Sequence, residues 1–79
     1  MDKLASLKNE SLAQQKLFQD KNSPDLNWSD PVLDSKNLVS TFEGINHKGF
    51  VVKRIEVYPF ENLNGKTTYV VKETEVTPA

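Results

Sequence analysis

Two tetrapeptides of one design, Asn46-His47-Lys48-Gly49 and Asn62-Leu63-Asn64-Gly65, divide the second half of this chain and constrain its path. Each lies between runs rich in Val, Ile, Thr, Phe and Tyr, the residues that suit a pleated, half-buried sheet. A tight hairpin loop ending on a positive φ wants glycine there, because glycine has no Cβ to clash. The spacing predicts an antiparallel meander of three strands, Leu38–Ile45, Phe50–Phe60 and Lys66–Val76. With each tetrapeptide as a four-residue loop, Glu61 and Lys66 close the second one. Tyr58 then faces Tyr69, Val57 faces Val70 and Arg54 faces Glu73, all favourable pairs. A two-residue turn at Asn64-Gly65 would instead oppose Glu56 to Glu73, which carry like charges. Pro59 in the middle strand resists this scheme, since it has no N–H to give to a ladder; the strand bends there or stops at Tyr58.

Ahead of the meander, residues 2–21 contain no Pro or Gly and are rich in Leu, Ala, Lys and Gln, which predicts helix. Asp2 suits its start as a cap. Leu4, Leu7 and Phe18 fall on one face at helical spacing, while Leu12 and Leu17 fall off it. Asn9-Glu10-Ser11 leaves open whether the segment is one helix or two. Residues 22–37 form a connector in which Pro24 and Pro31 push the residues before them towards extended geometry. Ser29 or Asp30 before Pro31 suits the start of one helical turn. The expected architecture is α+β in a single domain, residues 1–79: an N-terminal helix, a proline-containing connector and a three-stranded antiparallel β-meander.

Composition narrows the functions. Ten basic and eleven acidic side chains, divided almost evenly on either side of Asn37, leave no excess of cations for a phosphate backbone. The chain has no cysteine, no apolar run at its start like that of a secretory signal, and none long enough to span a bilayer. A cytoplasmic protein with no membrane attachment is expected. His47 is the one histidine and falls in a loop, without neighbouring ligands for a metal. The acids Asp20, Asp25, Asp30 and Asp34 read as caps and turn formers: the stretch from Asp20 puts proline at a calcium-ligand position and Asp25 where the calcium loop needs glycine. None of the three glycines precedes a helix, so there is no phosphate-cradling loop. A non-enzymatic protein is expected, with no metal and no cofactor.

What remains is surface. Phe50, Val52, Arg54 and Tyr58, with Tyr69 and Val71 from the last strand, are assigned to one face of the sheet. Val51, Ile55, Val57 and Val70 are assigned to the other. One helix covers one face of such a sheet, so the second falls to the connector with Trp28, to a second copy or to a partner. Trp28 is either a lid on the core or an interface anchor. These seven residues (Trp28, Phe50, Val52, Arg54, Tyr58, Tyr69 and Val71) are the candidate partner-binding set of a small protein-interaction module, an accessory protein of regulatory or inhibitory type or a subunit of a complex. A homodimer through that face, or through the edge formed by residues 66–76, is a further expectation. The alternative is a single-stranded nucleic-acid binder that stacks bases on Phe50, Tyr58 and Tyr69 near Lys48, Lys53, Lys66 and Lys72. Glu43, Glu56 and Glu73 in the same neighbourhood oppose it.

Overall fold

A computed structural model describes residues 3–77 of the chain, apart from the Asn22 side chain. Helix α1 (Lys3–Leu17) is continuous through Asn9-Glu10-Ser11; the expected cap, Asp2, lies outside the described residues. Leu7, Ser11 and Phe18 point inward, while Leu12 and Leu17 stay exposed. This stripe explains the weak apolar pattern, because its middle member is a serine. Ser11 sits where the helix comes close to the sheet, and its Oγ accepts a 2.7 Å hydrogen bond from the equally buried Ser40 hydroxyl. Ser11→Ala alone should cost about 1–3 kcal/mol, because it leaves the Ser40 hydroxyl buried without a partner. Ser11→Ala with Ser40→Ala removes both polar groups, so the double variant should recover most of that loss in urea unfolding.

After α1 the chain widens into one π-helical turn, Phe18–Asn22, closed by the Ser23 N–H on the Phe18 carbonyl at 2.7 Å. Ser23 leaves helical geometry at φ −146°, as the residue before a proline tends to. The connector is then largely strand. β1 (Asn27–Trp28) and β2 (Val32–Asp34) both pair antiparallel with β3 (Val39–Ile45), β1 at its C-terminal end and β2 at its N-terminal end. With β4 (Val51–Glu61) and β5 (Thr67–Glu75) they make one five-stranded antiparallel sheet. The expected α+β class holds, but the sheet has five strands where three were expected. The helical turn expected at Ser29–Pro31 is absent. Those residues bridge the two half-strands, and the Ser29 hydroxyl receives the Glu43 N–H at 2.8 Å while the Ser29 N–H donates to the Glu43 carbonyl.

Both Asn-x-x-Gly loops adopt one conformation, with Gly49 at φ 88° and Gly65 at φ 73°. In each, the glycine N–H returns to the asparagine carbonyl, and the asparagine Oδ1 accepts N–H bonds from residues two and four further on. Asn62 therefore pairs with Lys66, through its own N–H on the Lys66 carbonyl, and closes the loop itself. The ladder continues with Glu61 opposite Thr67, Tyr58 opposite Val70 and Val57 opposite Val71. The expected register, with Tyr58 opposite Tyr69 and Arg54 opposite Glu73, is out by one residue. Because strand side chains alternate, that slip exchanges the two faces of β5.

Pro59 now has an explanation. In antiparallel ladders the bonded pairs alternate, so the bonds joining Asn62 to Lys66 and Val76 to Val52 assign the β5-facing bonds of β4 to even-numbered residues. Position 59 faces the other neighbour, and β3 begins only at Val39, one residue short of it. No ladder bond is lost, and β4 runs through the proline to Glu61.

Candidate functional site

The core lies on one face of the sheet. Leu7, Phe18, Trp28, Phe42, Ile55 and Val57 are buried together, with Leu26, Leu33 and Tyr69 packed at the margin. Phe18, Trp28 and Phe42 form an aromatic triad with centroids 5.2–6.0 Å apart, tilted or edge-to-face, the arrangement that ring quadrupoles favour. The Trp28 indole N–H donates to the Ser23 carbonyl at 3.1 Å. From α1, the Gln15 amide reaches the Ser29 carbonyl at 2.7 Å and ties the connector to the helix. Trp28 is therefore a core residue of the helix side. It neither covers the opposite face nor projects from the surface.

That opposite face carries Thr41, Glu43, Arg54, Glu56, Tyr58, Phe60, Val70 and Lys72 by the strand registers. It divides into two zones. A charged belt crosses its middle, where Arg54 bonds the Glu43 carboxylate at 3.3 Å and Glu56 lies opposite Lys72. Towards the β4–β5 loop it turns apolar: Tyr58 stands opposite Val70, Phe60 is 55% exposed, and Leu63 projects fully from the loop tip. The helical segment packs on the other side, where Leu7 of α1 and Phe18 of the π-helical turn join Phe42, Ile55 and Val57 in the core.

The candidate residues are thus separated. Val52, Arg54 and Tyr58 share the uncovered part of the sheet, Val52 as the extra residue of an irregularity between the Gly44–Lys53 and Ile45–Val51 pairs. Phe50 is exposed beside the first loop, outside the strand. Tyr69 and Val71, expected on the same face as Tyr58, lie on the helix side, because the five-residue closure at Asn62–Lys66 moved them there. The signal that locates them is the capacity of asparagine to bond N–H groups further along the chain, which makes Asn62 the closing residue. Phe60 and Val70 belong to the open face and were missing from the expected set.

On the helix side, a cleft of about 460 Å³ opens between the start of α1 and the β4–β5 hairpin, lined by Lys3, Leu38, Pro59, Glu61, Thr67 and Tyr69. Leu38 holds a left-handed φ of 52°, an uncommon conformation for leucine. It ends the four-residue loop between β2 and β3, closed by the pairing of Asp34 with Val39. There the Asn37 side-chain amide, with the backbone N–H groups of Asn37 and Lys36, holds the Asp34 carboxyl below the ordinary carboxylate value. His47 is exposed in the first Asn-x-x-Gly loop, and the described residues gather no group of three or more metal-ligating side chains. No helix among the described residues is long and apolar enough to cross a membrane. No protein-family model, no curated protein and no solved structure matches this chain.

Proposed function

We propose that this chain is a non-enzymatic protein-interaction module, an accessory protein or small subunit, that docks a folded partner on the open face of its sheet. The observation that carries this is the one-sided fold. The helix and all three core aromatics lie on one side, while the half-buried Tyr58 and Val70 and the exposed Phe60 form an apolar zone on the other. An apolar patch rimmed by charges is the usual form of a protein contact site, and aromatic residues there serve as anchors. The belt of Glu43, Arg54, Glu56 and Lys72 supplies both signs of charge for selecting a partner.

Base stacking along a nucleic acid is less well supported. Tyr58 and Tyr69 lie on opposite faces, Arg54 is engaged by Glu43, and the chain has no net positive charge. A photo-crosslinking phenylalanine analogue placed at position 58, and in parallel at Lys16 on the exposed side of α1, tests the proposal in the cells that make the protein. Position 58 should yield a discrete protein adduct that Phe60→Lys abolishes. Equal adducts from position 16, or salt-sensitive oligonucleotide binding lost on Arg54→Ala, would overturn it.

A further inference from the structure

Strand β5 is the end of the sheet, with β4 on one side and no neighbour on the other among the described residues. The alternation that explains Pro59 also says which of its groups are unused. Thr68, Val70, Lys72 and Thr74 bond to β4, so Thr67, Tyr69, Val71, Glu73 and Glu75 present their N–H and C=O groups outward. These same five residues carry their side chains on the helix side, where Thr67 and Tyr69 form part of the cleft wall.

We infer that β5 pairs antiparallel with β5 of a second copy, about a two-fold axis through Val71, making one continuous ten-stranded sheet. The strand is self-complementary in this register. Val71 meets Val71 of the second copy, Val70 meets Lys72, Tyr69 meets Glu73, and Thr67 meets Glu75. Every outward backbone group from 67 to 75 finds a partner, and no like charges stand directly opposite. A centre at Lys72 would oppose lysine to lysine, and one at Glu73 glutamate to glutamate. A centre at Val70 leaves the Glu75 backbone beyond the partner's strand.

The Val71 register also completes the cleft. It sets Glu75 of the second copy beside Thr67 and Glu73 of the second copy beside Tyr69, at the mouth of the space that Lys3 lines. Lys53 already bonds Glu73 within its own chain at 3.4 Å, whereas Glu75 and Lys3 have no ion-pair partner among the described residues. Glu61 lines the same cleft beside Lys3, so the incoming carboxylates meet one charge of each sign, and the register rests on the backbone pairing. Val71, 37% exposed in the single chain, is covered on the axis.

This contact uses the edge, not the open face, so it stands or falls separately from the partner site. Sedimentation equilibrium at micromolar concentrations should find a dimer. Val71→Pro deletes one outward donor and no bond to β4, so it should weaken dimerisation by more than about tenfold while the far-UV spectrum persists. The chain has no cysteine, which allows a register test that does not depend on that variant. Of Val70→Cys, Val71→Cys and Lys72→Cys, position 71 should form the intermolecular disulfide fastest under mild oxidation, because it alone would face its own copy at about 5.5 Å between Cα atoms. A monomer throughout the concentration range would overturn the inference. So would a dimer indifferent to Val71→Pro, or fastest oxidation at position 70 or 72.

Discussion

Trp28→Ala is expected to remove a large share of the stability of this domain. The indole is 8% exposed, packs on both Phe18 and Phe42, and anchors the connector through its N–H on the Ser23 carbonyl. Truncating a buried aromatic of this kind costs about 3–5 kcal/mol. A 79-residue chain has roughly 4–12 kcal/mol in all, at the usual stability per residue. Chemical denaturation followed by circular dichroism should give a midpoint far below that of the parent, or no folded baseline. Trp28→Phe keeps a ring in the triad and loses the hydrogen bond, so it should fall between the two. Leu12→Ala, at an exposed helical site, is the control. A Trp28→Ala midpoint within error of that control would mean the connector does not hold the core.

Gly44→Val should be nearly as damaging, against the direction that strand propensity gives. Valine is favoured in strands and glycine disfavoured, so propensity alone predicts a gain of up to about 1 kcal/mol. A Cβ on Gly44, however, would lie 2.9 Å from two atoms of the Trp28 ring and 3.0 Å from the Leu26 side chain. The ring cannot simply swing aside, because its N–H is bonded and Phe18 and Phe42 abut it. Overpacking of this kind costs about 1–3 kcal/mol or more. Trp28→Leu makes room, so adding it to Gly44→Val should cost less than the two separate losses combined. Additive losses in that double-mutant cycle would show that glycine is needed for its backbone and not for the approach of the indole.

These two sites also mark how far the sequence is legible. The helix is readable from its propensity, though its continuity through Asn9-Glu10-Ser11 is not, and of its inward face Leu7 and Phe18 are legible while the buried Ser11 between them is not. The two loops were readable because glycine at positive φ leaves few alternatives. The register across the second loop was not, since it depended on whether Asn62 lies inside the turn or closes it. That choice rests on two hydrogen bonds to one side-chain oxygen. Pairing preferences gave no warning, because both registers place acceptable residues opposite each other. The half-strands β1 and β2 were hidden for another reason. Two or three residues carry no periodicity, and what makes them strand is the neighbouring edge of β3. Gly44 gave no local sign of its role either, because the ring it admits comes from sixteen residues earlier in the chain.

Those half-strands have a consequence for what this sheet does at high concentration. An open sheet with two good edges can add copies at both ends and grow into a fibre. Here the edge beyond β3 is occupied by two pieces of two and three residues, offset by Ser29–Pro31. Short, interrupted segments beside a proline give an approaching strand no continuous row of donors and acceptors. If β5 pairs as inferred, growth would be open on that side alone and pairing between copies would end at two. In such an assembly the connector would act as a chain terminator for the sheet, leaving one edge available without the hazard of polymerising through the other.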